Sequence, residues 1–268
     1  MPAVLVTAAV RVDAERSVLL SRARGWMDRP ERLDEYCLAG VSAAKEAIDR
    51  AHLPIERLRE ARHALVLGSA LGSLESDYQF QRQTMDLGLA LASPRLFATT
   101  LPNLVLGEIA IALRLRGDNW MFSAGRASGL VAIGEAASAV ATGELDAAVV
   151  LALDVVGPAV ERLFGALGTR PEPCAAALML ENEAFALGRD ATVLAAISDY
   201  KSRFDAAREP EPAVDPLGCA GIADLLAAVA DANVRPRRIE VRCPTGYSAR
   251  VTLGPGGSGR TADAFGTR

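Results

Sequence analysis

The chain has 268 residues, half of them hydrophobic but only 5% aromatic, and a net charge of −4. That length supports a sizeable core, in one large domain or two small ones, built from alanine, leucine and valine. The acidic balance argues against nucleic acid as an obligate partner and against a polybasic membrane patch.

Four cysteines (Cys37, Cys174, Cys219, Cys243) lie scattered without CxxC spacing. Neither a disulfide framework nor a zinc site is predicted, and no metal or cofactor is expected. The opening MPAVLVTAAVRV has no basic flank and no long apolar core, so no signal peptide is read and a cytoplasmic location is expected.

In chain order, the apolar run Ala3 to Val10 predicts a buried first strand. Asp13 to Pro30 reads as charged and irregular. From Arg32 to Ala51, apolar residues at Leu33, Tyr36, Cys37, Val41, Ala44 and Ile48 follow helical spacing, and Pro54 ends the element. Ala64 to Leu67 predicts a second buried strand closed by Gly68. Residues Gly68 to Gln83 start as a loop and become a helix. Leu87 to Asn103 reads as a loop, followed by a small-residue helix from Val105 to Leu113.

The stretch Arg116 to Thr142 organises the rest. A short strand, Trp120 to Phe122, feeds a small-residue elbow, Ser123 to Gly129, and then a helix from Leu130 to Val140. That helix is apolar almost all round, which requires burial, and it is too short to span a membrane. Its N-terminus should offer unpaired amides and a positive dipole end to a pocket. Arg126 stands there.

Further along, Asp146 to Leu153 predicts a buried strand and Pro158 to Gly165 a loop or short helix. Ala175 to Glu181 and Val193 to Tyr200 read as a strand pair joined by a helical linker at Asn182 to Leu187. Ser202 to Pro216 reads as an exposed excursion, and Ile222 to Ala232 as a helix. Two last strands, Ile239 to Arg242 and Arg250 to Leu253, flank a turn at Pro244 to Tyr247. Strands alternating with alanine-rich helices predict a layered α/β domain.

The run from Thr100 to Ala136, TLPNLVLGEIAIALRLRGDNWMFSAGRASGLVAIGEA, resembles the β-ketoacyl synthases of the thiolase fold. It is similar without gaps over the segment that in that family ends in the cysteine-bearing elbow. Ala64 to Leu74 and Gly143 to Leu153 resemble the family's flanking strands, and Ala175 to Glu181 the opening of its second half. The resemblance implies a thiolase-like layered α/β/α fold: one domain over 1–253, with a shortened second half at about 174–253. The composition of the end, GPGGSGRTADAFGTR, predicts a disordered tail over 254–268.

The departures carry most of the functional expectation. Arg126 stands where the family has its catalytic cysteine, and a guanidinium is no nucleophile. The family's two catalytic histidines follow the nucleophile, whereas the two histidines here, His52 and His63, precede it. The resemblance is therefore to a chain-length factor, the non-catalytic partner of a type II polyketide ketosynthase. In length it is to the compact subunits of aryl-polyene and other highly reducing systems. That group usually carries glutamine at this position, so arginine departs from the pattern and puts a decarboxylase role in doubt.

What the resemblance implies is an inactive homologue that heterodimerises with a ketosynthase and meets an acyl carrier protein through the complex, without nucleic acid or membrane. It implies two-fold pairing of Asn119 to Phe122, with Trp120 and Phe122 at the interface. It also implies a tunnel floor from Phe97, Thr99, Thr100 and Leu104, and Arg126 as a plug or gate. The bland readings are core packing for Phe97 and Trp120, and a structural salt bridge for Arg126.

A different class remains open: an acyltransferase or thioesterase with a relocated nucleophile, Cys243 or Ser128. The stretch GRASG is not the GxSxG elbow of hydrolases, because Ser128 is displaced by one position. GPGGSGRT near the end imitates a P-loop with arginine for lysine, but too few residues follow for the required helix.

Overall fold

In the computed structural model, residues 2–12, 15–166, 168, 170–205, 218–231 and 236–256 are described. Among them, eight strands form one mixed sheet: β1 (Val4–Arg11), β2 (His63–Gly68), β3 (Asp118–Phe122), β4 (Ala147–Asp154), β5 (Cys174–Glu181), β6 (Ala195–Phe204), β7 (Arg237–Arg242) and β8 (Tyr247–Gly254). Their order is β3-β2-β4-β5-β1-β6-β8-β7. β3, β2 and β4 run parallel, and every pairing from β4 to β7 is antiparallel.

The period-two geometry of a strand explains how β4 serves two cores. Ala148, Val150 and Ala152 enter the cluster on one face, and Ala147, Val149, Leu151 and Leu153 the cluster on the other. Covered on both sides, such strands read as continuous apolar runs, as β2, β4 and β5 do. One face carries α1 (Arg16–Ala23), α2 (Glu35–Arg50) and α6 (Leu104–Leu113); the other carries α7 (Ser128–Ala141) and α10 (Ile222–Asp231). In β8 only Ala249, Val251 and Leu253 are buried, all toward α7 and α10, so the sheet beyond β6 has one solvated face.

The apolar helix predicted from Leu130 is α7, with eleven buried residues. Several expectations are corrected. The stretch read as irregular contains α1, which buries only Leu19 and Ala23, too few for an apolar stripe to show among its charges. The loop read from Leu87 to Asn103 contains a 3-10 turn (Leu89–Leu91) and α5 (Pro94–Ala98). Ser93 caps α5, accepting from the Leu96 amide at 3.3 Å, and Pro94 opens it, a start signal that the sequence already carried.

The strand pair read from Ala175 onward is not a pair, because β1 lies between β5 and β6 and bonds to both. The linker between them is α9 (Glu183–Leu187), whose N-cap Asn182 accepts from Phe185. Strand β6 continues to Phe204, so the excursion read from Ser202 begins as strand. Its residues 206–216 lie outside the described residues. So does the tail beyond Gly256, while Gly254 ends β8. The remaining helices are α3 (Ile55–Glu60), α4 (Leu74–Leu87) and α8 (Pro158–Ala166).

Candidate functional site

The site is built where the parallel strands end. β3 leaves the sheet at Phe122, turns through residues 123–127 and enters α7 at Ser128. Ser128 is fully buried and closes the turn on itself: its Oγ accepts from the Ala124 amide at 2.9 Å and donates to the Gly125 carbonyl at 2.6 Å. The hydroxyl both accepts and donates within the turn, sealed from solvent.

The first amides of α7 are also paired, that of Ser128 with Gly125 O (3.1 Å) and that of Gly129 with Gly218 O (2.8 Å). The expected open set of helix donors is therefore largely closed by the chain itself. Gly125 has a φ of +54°, and a Cβ there would lie 2.5 Å from Cys243 Sγ. The turn between β7 and β8 thus packs against the elbow. Cys243 is buried, and its Sγ lies 3.0 Å from Thr245 Oγ1.

Arg126 is half-buried, with Nε sealed from solvent and without a hydrogen-bond partner. Among the described residues it forms no ion pair, so the salt-bridge reading finds no partner there. Trp120 and Phe122 pack partly against the α7 core, on a strand that among the described strands bonds only to β2.

The proposed floor residues lie on a second segment. Phe97 is 57% exposed and packs tilted against Phe80, with ring centroids 5.4 Å apart. The Thr99 and Thr100 hydroxyls turn back onto the carbonyls of Leu96 (2.8 Å) and Phe97 (2.7 Å). Leu104 packs on the α2–α6 core. The loop 69–73 joins the two groups: the Ser69 amide donates to Phe122 O (3.2 Å), and Ser73 Oγ to Thr100 O (2.6 Å).

Under that loop lies Asp154, which the sequence reading missed. Fully buried, it accepts from Ser69 Oγ (2.7 Å), Leu71 N (2.9 Å), Ala70 N (3.1 Å) and Gly218 N (2.6 Å). Burial pushes its carboxyl above the usual range, and these donors oppose the shift. An acid ending the otherwise apolar run AAVVLALD was the signal available.

The histidines stay apart from the elbow. His63 opens β2, and the elbow lies near its far end, about 17 Å along six extended residues. His63 Nε2 accepts from Gly117 N at 3.0 Å, so Nδ1 carries the proton toward Ala61 O, also 3.0 Å away. His52, exposed, terminates α2 with a φ of 49°. Among the described residues no His, Cys, Asp and Glu group is arranged to hold a metal, and no helix is long and apolar enough to cross a membrane.

Comparison with known proteins bears on this geometry. Residues 21–178 match the family model described as β-ketoacyl synthase, N-terminal domain. The chain is 26% identical over 242 residues to 3-oxoacyl-[acyl-carrier-protein] synthase 2 of Staphylococcus aureus, spanning 82% of this chain and 60% of the relative. It is 27% identical over 231 residues to the synthase of the same name from Vibrio cholerae, covering 78% of this chain and 55% of that one. The chain thus spans under two thirds of these curated relatives.

Among solved structures, a β-ketoacyl synthase from Burkholderia phymatum superposes with a TM-score of 0.77 at 14% identity, over 95% of this chain and 100% of that one. A chain of the ishigamide ketosynthase/chain length factor gives 0.78 at 15% identity, over 96% and 100%. A chain from a type II polyketide synthase complex of an acyl-carrier protein with its ketosynthase gives 0.78 at 14% identity, over 95% and 99%. At these identities the likeness is one of fold: the mixed sheet and its helices match ketosynthase, thiolase-like architecture over most of the chain.

Proposed function

Because the chain belongs to the β-ketoacyl synthase N-terminal domain family, we propose that it is a non-catalytic subunit of that fold, a chain-length factor. It pairs with a ketosynthase and shapes the tunnel holding the growing acyl chain in polyketide or polyene synthesis. The observation that carries this reading is Arg126 in the elbow, where Ser128 is sealed and no histidine approaches. Condensation needs a nucleophile and a base beside it, and this elbow offers neither.

The surface suits a permanent partner. Leu89 and Leu91, 72% and 70% exposed, lie on a segment that also exposes Met85, Leu87, Phe97 and Leu101, and in which α4 touches both the 3-10 turn and α5. Exposure of that kind marks a contact surface. The two sheet edges differ in the same sense. β7 is guarded by Arg238, Glu240 and Arg242 joined by ion pairs, whereas β3 carries Asn119, Trp120, Met121 and Phe122 with a single charge, Asp118. An unguarded edge strand is a template for pairing with another chain. The ketosynthase supplies the nucleophile, and the carrier protein meets this chain only through the complex.

Co-expression with a ketosynthase encoded beside it, followed by size-exclusion chromatography with mass determination, tests the reading. A one-to-one complex is expected. A monomer or homodimer that ignores the ketosynthase overturns it.

A further inference from the structure

Ser73 is the N-cap of α4, yet its hydroxyl accepts from no amide of that helix and makes only a long contact there, 3.4 Å to Asp77 Oδ2. A serine in this place ordinarily accepts from an amide of the first turn. Here the buried Oγ instead donates to the Thr100 carbonyl at 2.6 Å. In the first turn of α2, the hydroxyl of buried Tyr36 donates to the Pro102 carbonyl at 3.1 Å. Gly72, with a φ of +56°, admits Pro102 where a Cβ would lie 2.6 Å from the proline's own Cβ.

The clamp stands on a rigid base. Asp34 caps α2 through the Cys37 amide (2.8 Å) and accepts from Ser76 of α4 (3.0 Å), which locks the two helices that carry Tyr36 and Ser73. The phenol of Tyr36 lies beside Ser69, whose hydroxyl is bound by Asp154, and Asp154 in turn holds Gly218 against the elbow helix. Three anchors therefore converge on residues 100–102. The neighbouring side chains of Phe97 and Leu101 are exposed, Phe97 resting against Phe80.

We propose that Tyr36 and Ser73 are positioning residues: their two hydroxyls set where the segment from Thr99 to Leu104 sits, and through it the length of acyl chain the complex accommodates. The inference rests on the subunit role proposed above. Neither side chain touches the acyl chain. They act by holding two carbonyls in one place, so that Thr99, Thr100 and Leu104 present a fixed boundary.

The test uses Tyr36→Phe and Ser73→Ala, with Ser73→Thr as the variant that keeps the hydroxyl. Two readouts separate this inference from the one beneath it. In the isolated chain, hydrogen exchange at the Thr99, Thr100 and Leu104 amides is expected to speed up about five- to tenfold in Y36F and S73A, and to return toward wild type in S73T. Unchanged exchange overturns the clamp whatever the chain binds. In the purified complex with the ketosynthase, the product differing by one two-carbon unit is expected to rise about fivefold in Y36F and S73A but not in S73T. An unaltered product spectrum from an intact complex overturns the positioning role. Failure of the wild-type chain to form any complex overturns the subunit role, and the length-setting claim with it.

Discussion

At Gly125 two demands meet on one residue: a left-handed backbone, with φ at +54°, and room for Cys243 Sγ where a Cβ would stand. Gly125→Ala is expected to destabilise the chain by about 1–3 kcal/mol, part strain and part overlap. Replacing Cys243 by Ala in the same chain should restore the overlap component and leave the strain, which a double-mutant cycle in urea would read as coupling. Arg126→Cys makes a sharper statement about chemistry. A thiol placed in this elbow still lacks a histidine, since His63 is engaged with Gly117 and Ala61 at the far end of β2. The variant is expected to release no product from acyl and malonyl carrier-protein thioesters. Turnover by R126C alone would show that the missing nucleophile was the only defect. The place of Arg126 was legible in the sequence because strand, elbow and helix are local. The contact of Gly125 with Cys243 was not, because it depends on how a distant hairpin folds back.

Elements whose apolar residues run together or recur at helical spacing, such as β2, β4, β5, α2 and α7, were legible for that reason. Those that failed to show are amphipathic and short: α1 buries two side chains, and α5 buries none. The insertion of β1 between β5 and β6 is invisible to any local pattern, since all three strands carry buried apolar residues. Polar staples hold these elements in register. Asp146 accepts from Arg62 Nη2 (2.6 Å), the Arg62 amide (3.0 Å) and Asn182 Nδ2 (3.2 Å), tying together the starts of β2, β4 and α9. The bond to Arg62 holds its carboxyl below the ordinary 3.8. A depressed carboxylate favours the folded state fully above the ordinary value and loses that contribution as pH falls through the lower folded value. Asp146→Asn is therefore expected to lower Tm by about 2–4 °C near neutral pH. That gap should close as the pH drops below the usual carboxylate range, which melts from pH 7 downward would check.

At the scale of the whole molecule, the apolar surface over 85–101 predicts a division between stability and assembly. Leu89 and Leu91 are so exposed that replacing both by aspartate should change the stability of the isolated chain by no more than about 0.5 kcal/mol each. The same pair should weaken the complex with a ketosynthase tenfold or more, as measured by calorimetry, if the surface is where the partner sits. Equal affinity would move the interface elsewhere on the molecule. The sheet also orders events in time. Among the described strands of the sheet β1 is made first, yet both strands it bonds to, β5 and β6, are encoded far downstream. Val4, Leu5 and Val6, all buried in the finished molecule, must wait through the synthesis of some 170 residues for a place in the sheet. A nascent chain halted before Cys174 has an apolar strand with nowhere to go. Its hold on chaperones should last until β5 and β6 are out.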